Sequence, residues 1–564
     1  MDERILIEYN KWVNSDILTL EEKEELLSIK NDETELENRF YTDLSFGTAG
    51  MRGIRGIGRN RMNKYNIRKA TQGLSNYIIK NFGETGKEKG VAIAYDCRLD
   101  SAENAINTAL VLAANGIKAY IFDSIRTTPE LSFATRTLKT QAGIMITASH
   151  NPKEYNGYKV YFDDGAQISG EHADGIVSEV GKVDVFKDIK IISKEEALSK
   201  SLLVYIDKKI DDEYIENVKK SSIYPNLENK DSILIAYSPL HGTAGRPVNR
   251  IFDEMGYKYV NVKEQINPDG NFPTCEYANP EDTKVFKLIN DLADEINADI
   301  CIANDPDGDR VGISIKDDNG KWIYPNGNQI GILIAEYILS NKNPLPKNGK
   351  MLTTIVSTPM LDTITNHYGI ETIRTLTGFK YMGEKIKQFE EKLIDGTFLF
   401  GFEEAIGYLI GDHVRDKDAV VTSMLVAEMT AYYKNKNITI YQQLNNIYNK
   451  YGWRLEETIP ITRAGKEGLE SIAKTMENIR NTEHIEICGK KVKKYTDFNK
   501  EGTGLPKSNV VQFVLEDDTY LTARPSGTEP KIKYYISVVD KTKKLAQDKL
   551  NKVVKEFQEY VESL

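Results

Sequence analysis

Ala142-Gly143-Ile144-Met145-Ile146-Thr147-Ala148-Ser149-His150-Asn151-Pro152 joins a short apolar run to a polar turn. The run is β-branched and reads as a buried strand. Beyond it, Asn151-Pro152 and Asn156-Gly157 are turn chemistry, and Tyr158-Lys159-Val160-Tyr161-Phe162 reads as another strand. Ser149 is therefore expected in a loop at the C-terminal end of a strand, where α/β sheets place ligands. A serine hydroxyl is a weak nucleophile until a neighbour activates it, and His150 is adjacent in sequence, which is not hydrogen-bond geometry. Taken alone, residues 147–152 are equally a polar surface turn or a nucleophile loop.

The alternation of strands and helices extends outward from this point. Val91-Ala92-Ile93-Ala94-Tyr95 is a strand, residues 101–115 an Ala/Leu-rich helix, and Ala119-Tyr120-Ile121-Phe122 a strand. Thr128-Pro129 opens a helix that leads to the strand before Ser149, completing a β-α-β signature. A second α/β unit begins at Ile233-Leu234-Ile235-Ala236-Tyr237 and passes through His241-Gly242-Thr243-Ala244-Gly245 into a helix and the strand Tyr257-Lys258-Tyr259-Val260. Its last strand, Asp299-Ile300-Cys301-Ile302-Ala303, delivers Asn304-Asp305-Pro306-Asp307-Gly308-Asp309-Arg310. A third unit has strands at Met351-Leu352-Thr353-Thr354-Ile355-Val356 and Thr397-Phe398-Leu399-Phe400, with the loop Thr377-Gly378-Phe379-Lys380 between them. After about residue 446 the pattern becomes mixed α+β. It ends in an amphipathic helix with Leu545, Leu550, Val553, Val554, Phe557 and Val561 as a core stripe. Residues 1–40 are charged, with Trp12, Leu18, Leu20, Leu26 and Leu27 as apolar points, and read as helices on the outside of the first domain. Residues 180–208 read as a connection between domains. The three α/β units are candidate diverged repeats, although no fixed period proves it.

With 564 residues the chain exceeds a single core, and three to five domains are expected. A net charge of −10 argues against general nucleic-acid or membrane-surface binding, but leaves room for local basic pockets that take anions. Cys97, Cys275, Cys301 and Cys488 are far apart and form no zinc or redox pair, which suits a reducing compartment. The start Met1-Asp2-Glu3 lacks a basic n-region and no apolar run reaches transmembrane length, so a cytoplasmic location with no membrane partner is expected.

Four further stretches carry chemistry. Asp305, Asp307 and Asp309 repel one another strongly unless a cation sits among them. Hard oxygen ligands suit Mg²⁺, with a phosphate oxygen or water completing the octahedron. An EF-hand loop would need glycine and glutamate where Arg310 and Lys316 stand, so that reading fails, and a solvated acidic turn is the remaining alternative. RPSGTEPK at 524–531 combines a guanidinium, two hydroxyls and a glycine that together suit a phosphate dianion, or form a surface turn. GFEEAIG at 401–407 sets two carboxylates in a loop, suited to sugar hydroxyls or to solvent. FGTAGMRG at 46–53 is either a flexible turn or a backbone nest with a guanidinium for phosphate. Together they list the parts of phosphoryl transfer on a polyhydroxylated, phosphorylated substrate.

TASHNP at 147–152, DPDGDR at 305–310, GFEEAIG at 401–407 and RPSGTEPK at 524–531 closely resemble, in order, the hallmark loops of the α-D-phosphohexomutase family. FGTAGMRG and TLTGFK at 375–380 add two matches, and the set spans almost the whole chain. The resemblance is strongest to the branch holding phosphoglucomutases and phosphopentomutases. It implies three related α/β domains, with mixed sheets flanked by helices, plus a C-terminal α+β domain around a central cleft. The expected divisions are 1–207 with the phosphoserine loop, 208–322 with the metal loop, 323–447 with the sugar loops and 448–564 with the phosphate loop. By similarity, Ser149 is carried as phosphoserine, with His150, Lys159 and Arg52 in the catalytic set. Ser149, Asp305, Asp307 and Asp309 would hold one Mg²⁺. Arg310, Gly378, Lys380, Glu403, Glu404, Arg524, Ser526, Gly527 and Thr528 would bind substrate. Glucose 1,6-bisphosphate is expected as intermediate and activator, small sugar phosphates as the partners, and a monomer or small homo-oligomer as the assembly. Many glucose-type members have serine where Ala405 stands. That departure removes one sugar-hydroxyl contact; the expected substrate is nevertheless glucose 1-phosphate, with ribose and mannose phosphates as alternatives and a metal-dependent phosphatase as the rival class.

Overall fold

The computed structural model describes residues 2–47, 50–463, 465–526 and 531–564, with only the backbone described at Gly465 and Lys466. The first sheet has strands β1 (Gly50–Ile54), β2 (Val91–Tyr95), β3 (Ala119–Ile121), β4 (Ala142–Ile146), β5 (Tyr155–Phe162) and β6 (Leu203–Tyr205), in the order β1-β5-β4-β2-β3-β6. β2 and β4 are buried along their whole length, which is why they read as continuous apolar runs rather than alternating ones. Their two faces serve different cores. Val91, Ile93, Ile144 and Ile146 meet Ala105, Ala109 and Leu112, whereas Ala92, Ala94 and Met145 join Leu131, Ala134 and the buried residues of the next units.

The second sheet, β7 (Leu234–Ser238), β8 (Lys258–Asn261), β9 (Ile300–Asn304), β10 (Val311–Lys316) and β11 (Trp322–Ile323), runs β11-β10-β9-β7-β8. The third, β12 (Gly349–Thr354), β13 (Glu371–Thr375), β14 (Thr397–Glu403) and β15 (Gly407–Ile410), runs β13-β12-β14-β15. One motif recurs in all three sheets. Three neighbouring strands are parallel, and the last of them in sequence turns back into an antiparallel partner: β4 into β5, β9 into β10, β14 into β15. The turns so produced are residues 147–154, 305–310 and 404–406. The repeats that no sequence period revealed are therefore visible in the topology.

The last sheet is wholly antiparallel: β16 (Trp453–Thr462), β17 (Glu486–Ile487), β18 (Lys490–Asp497), β19 (Val511–Leu515), β20 (Tyr520–Pro525) and β21 (Lys531–Asp540), in the order β16-β21-β20-β19-β18-β17. The helix Lys543–Ser563 covers one face. Between this sheet and the third lies a cavity of about 470 Å³ walled by Arg374, Arg454, Glu456 and Gln512.

Several expectations need correction. Residues 180–208 are more than a connection, because β6 pairs with β3 and closes the first sheet. An edge strand buries one side only, so it can be short and partly polar. Residues 50–53 are not loop but β1, and Gly50 makes this pairing possible. It has φ +124°, and a Cβ there would stand 1.9 Å from the Tyr158 carbonyl oxygen. Glu403 ends β14 instead of lying in the loop, and Phe379 already begins the helix Phe379–Glu390. Leu20, Leu27 and Leu545 are exposed, the last because Ala546 takes the buried position at that turn. All four cysteines are free thiols, and no helix among the described residues is long and apolar enough to cross a membrane.

Candidate active site

Ser149 lies in the β4–β5 turn, almost fully buried and with φ +54°, a left-handed conformation uncommon for a non-glycine residue. Its N–H donates to Thr147 Oγ1 at 2.8 Å, and its Oγ donates to Asp305 Oδ2 at 3.0 Å. The nucleophile turn of the first sheet and the acidic turn of the second therefore meet at one hydrogen bond. His150 Nδ1 is 3.2 Å from the same Oγ, so the sequence neighbours do interact. Burial and the Arg310 and Arg52 guanidiniums push the His150 imidazole well below its ordinary pKa, which keeps it neutral at pH 7.

Asp305, Asp307 and Asp309 are buried, and one oxygen of each lies within 4.8 Å of the others. Asp305 Oδ1 accepts the N–H groups of Asp309 and Arg310 at 3.1 and 2.9 Å, which folds the turn back on itself. Asp307 Oδ2 accepts from Thr128 Oγ1 at 3.0 Å and from Lys159 Nζ at 2.6 Å. The remaining Oδ1 atoms of Asp307 and Asp309 are buried and have no hydrogen-bond partner among the described residues. Burial and the facing Asp307 and Asp309 push the Asp305 carboxyl well above the usual carboxylate range. Asp307 is buried too, yet Lys159 holds it below that range. Orphaned carboxylate oxygens converging in a buried, repulsive group fit a hard divalent cation, so this group can hold a metal ion.

Register explains how the cations arrive. In the β1–β5 ladder Arg52 faces Gly157 and Gly50 faces Lys159, so Arg52 and Lys159 stand two residues apart on one face. Arg52 Nη1 donates to Asn151 Oδ1 at 2.7 Å. Lys159 Nζ is also 3.6 Å from Asp309 Oδ2, and Asp307 and Asp309 raise its pKa against the opposing effect of burial. Arg310 reaches Glu281 at 3.4 Å and bridges across to Gly407 of the third sheet.

Sequence reasoning missed Lys417. Its ammonium sits 2.8 Å from Asp416 Oδ1 and 3.3 Å from Asp309 Oδ2, and Asp309, Asp416 and Glu403 raise its pKa against burial. The available signal was the run Asp412-His413-Val414-Arg415-Asp416-Lys417-Asp418, charged yet squeezed between apolar β15 and the apolar helix Ala419–Lys434. Thr128 was missed for another reason: its sequence marks only a helix start, but that start is aimed at Asp307.

Glu403 Oε1 accepts the Gly378 N–H at 2.7 Å, joining the two third-domain motifs, and burial raises its carboxyl above the usual range. Glu404 Oε2 accepts from Thr354 Oγ1 and Ser357 Oγ, each at 3.1 Å. Lys380 lies over the Tyr381 ring at 5.2 Å. In the fourth domain Arg524 Nη1 donates to Tyr535 Oη at 3.3 Å and the Ser526 N–H to the Lys531 carbonyl at 2.7 Å. Gly527 and Thr528 lie outside the described residues.

Family models match the three parallel-stranded units. Residues 43–185, 212–320 and 326–451 match, in turn, alpha/beta/alpha domains I, II and III of phosphoglucomutase/phosphomannomutase. A phosphoglucomutase from Staphylococcus aureus is 37% identical over 526 residues, covering 90% of this chain and 92% of that protein. One from Staphylococcus haemolyticus is 33% identical over 528 residues, covering 91% and 94%. Among solved structures, the fold is shared with the Paramecium phosphoprotein pp63/parafusin in its open form, with a TM-score of 0.69, 19% identity and coverage of 93% of this chain and 95% of that one. A phosphoglucomutase/phosphomannomutase family protein from Burkholderia thailandensis gives 0.68 at 19% identity, with 92% and 97% covered.

Proposed function

The chain belongs to the phosphoglucomutase/phosphomannomutase group of α-D-phosphohexomutases, and on that premise we propose that it is a phosphoglucomutase. As such it is an isomerase that interconverts α-D-glucose 1-phosphate and glucose 6-phosphate. The observation that carries this reading is the Ser149 hydroxyl 3.0 Å from Asp305, at the edge of a buried three-carboxylate group.

In this reading Ser149 carries a phosphoryl group. The O–P bond at Ser149 breaks as one forms to the free hydroxyl of the sugar monophosphate. That hydroxyl gives up its proton, Ser149 Oγ regains one, and glucose 1,6-bisphosphate results. The bisphosphate turns end for end, and Ser149 takes back the other phosphoryl group by the reverse proton movements. Asp305, Asp307 and Asp309 with Ser149 would hold Mg²⁺, which supplies Lewis-acid charge to the phosphate oxygens. Lys159, Arg52, Arg310 and Lys417 offset charge on the transferring group from fixed positions. Neutral His150 orients Ser149 Oγ and is placed to exchange a proton with it. Glu403 and Glu404 accept sugar hydroxyls, while Gly378 and Lys380 line the loop that reads sugar orientation. Arg524, Ser526, Gly527 and Thr528 hold the non-reacting phosphate, which keeps the other end in line. Closure of the fourth domain would exclude water.

We assign the functional units to 1–207, 208–322, 323–447 and 448–564. The partners are sugar phosphates, with free glucose 1,6-bisphosphate loading Ser149. We place the protein in the cytoplasm, as a monomer or small homo-oligomer.

The test is a coupled assay with Mg²⁺ and a trace of glucose 1,6-bisphosphate, comparing glucose, ribose and mannose 1-phosphates. A higher kcat/KM for glucose is expected, together with loss of turnover in Ser149→Ala. A preference for ribose would reassign the substrate, and phosphate release without isomer would mark a phosphatase. Turnover retained by Ser149→Ala would overturn the mechanism.

A further inference from the structure

Three backbone carbonyls of the nucleophile turn and that of the first residue of β5 converge on one guanidinium. Arg98 Nη2 donates to the carbonyls of Ser149 at 2.6 Å and Asn151 at 2.5 Å, and Nη1 to those of Pro152 at 2.8 Å and Tyr155 at 3.1 Å. Its side chain and that of Asp96 have no exposed surface, and Nε lies 3.3 Å from Asp96 Oδ2. Asp96 Oδ2 accepts from Thr147 Oγ1 at 2.6 Å, and that hydroxyl oxygen accepts the Ser149 N–H. Asp96 and Arg98 thus grip the turn on both sides of Ser149, whose backbone is held left-handed.

The same arginine faces the second domain. Its guanidinium lies 5.0 Å from the Phe272 ring centroid. Gly270 approaches so closely that a Cβ there would stand 2.6 Å from the Cys97 carbonyl oxygen and 2.7 Å from the Leu99 nitrogen. The contacts continue inward. The Asp269 N–H donates to the His241 carbonyl at 3.1 Å, and a Cβ on Gly242 would lie 2.5 Å from Pro306 Cα. The N–H and Oγ1 of Thr243 both donate to the Pro306 carbonyl at 2.9 Å. Close contact therefore runs from the Ser149 turn through Arg98, residues 269–272 and residues 241–243 to the acidic turn, without using any carboxylate or cation of the site.

We propose that Arg98, clamped by Asp96, is a positioning residue that sets the register between Ser149 and the acidic turn, with the 269–272 loop as its abutment. The inference rests on the reading of Ser149 as the phosphoryl carrier. The nucleophile and the carboxylates belong to different sheets, so their separation depends on how the two domains abut. A misplacement of about 1 Å between reacting groups costs about 10²-fold in rate. Of the groups assigned to substrate binding, all but Arg310 lie in the third and fourth domains, so the effect falls mainly on kcat and little on KM.

Arg98→Lys keeps the charge beside Asp96 but gives up the planar fork. Gly270→Ala leaves Arg98 intact and wedges the abutment, and it decides the matter should Arg98→Lys not fold. The readouts are kcat, KM for glucose 1-phosphate, the rate of Ser149 phosphorylation by glucose 1,6-bisphosphate, and the crystallographic Ser149–Asp305 separation. We expect kcat and the phosphorylation rate to fall together, about 10²-fold in Arg98→Lys and about tenfold in Gly270→Ala, with KM within about twofold. A loss confined to KM or to the folded fraction, or an unchanged Ser149–Asp305 separation in Arg98→Lys, overturns the proposal. Wild-type protein that takes up no phosphate at Ser149 overturns the functional reading instead.

Discussion

Replacing Lys417 by glutamine should slow the reaction and yet tighten metal binding. The ammonium lies 2.8 Å from Asp416 and 3.3 Å from Asp309, all three groups being largely buried. At an effective dielectric constant of about 20, each such pair is worth about 5 kcal/mol before desolvation is charged against it. Breaking a buried pair typically costs about 3–5 kcal/mol of stability, so the variant should unfold earlier. Its effect on chemistry is separate. Loss of one fixed cation facing the transferring group costs about 10²–10³ in kcat. The metal responds in the opposite sense, because the ammonium competes with the cation for Asp309. Relief of about 1 kcal/mol of that competition lowers the half-saturating Mg²⁺ concentration about fivefold. The assay is steady-state turnover across a Mg²⁺ titration for wild type, Lys417→Gln and Lys417→Arg, corrected for folded fraction. A kcat within about threefold of wild type would refute the first argument, and a raised Mg²⁺ requirement would refute the second.

Glu130 is buried, and burial raises its carboxyl from 4.5 to about 7. The folded chain therefore binds the extra proton between those values, and stability falls as pH rises through them, by about 3 kcal/mol in all. Glu130→Gln should remove that slope, and urea midpoints would show the variant gaining on wild type at pH 8 but not at pH 4. A parallel pair of pH profiles would refute this. A Cβ on Gly327 would stand 2.0 Å from the Glu404 carbonyl oxygen. Gly327→Ala should therefore displace the 404–406 turn and lower kcat/KM for glucose 1-phosphate at least about tenfold, whereas unchanged kinetics would show that the turn absorbs the shift. Mg²⁺ should raise the thermal midpoint of wild type, since saturation at about 100 times Kd contributes about 2.7 kcal/mol, and Asp307→Asn should abolish most of that rise.

The sequence was legible where chemistry is local. The turn 147–152 follows an apolar strand, and the turn 305–310 packs three carboxylates into five residues, so both could be read from neighbouring residue types. The three-unit repeat was half legible, because apolar runs mark strands but not the order in which they pair. Only the ladders show that β5, β10 and β15 return antiparallel. Contacts made across long separations were not legible. Lys417 meets Asp309 from more than a hundred residues away, and Arg98 grips carbonyls, which carry no side-chain signature. Small residues misled in the other direction. The glycines of 46–53 suggested a loop, whereas Gly50 allows a strand to approach another backbone.

The three parallel-stranded units are tied to one another at their working turns by main-chain bonds. The Thr128 N–H donates to the Asp307 carbonyl at 2.8 Å, that of Val311 to Ile406 at 3.1 Å, and that of Ala419 to Gly308 at 3.2 Å. Across the cavity of about 470 Å³, by contrast, the fourth sheet is met by side chains: Gln512 Nε2 donates to the Ile355 carbonyl at 2.8 Å, and Thr358 Oγ1 donates to Glu456. The molecule is thus built like a vice with three fixed jaws and one on a screw. In the proposed reading the fixed jaws would set where bonds break, and the fourth would set the span between the two ends of the workpiece. On that reading, substitutions on the wall of that gap, at Arg374 or Arg454, would change the span while leaving Ser149 and the acidic turn untouched.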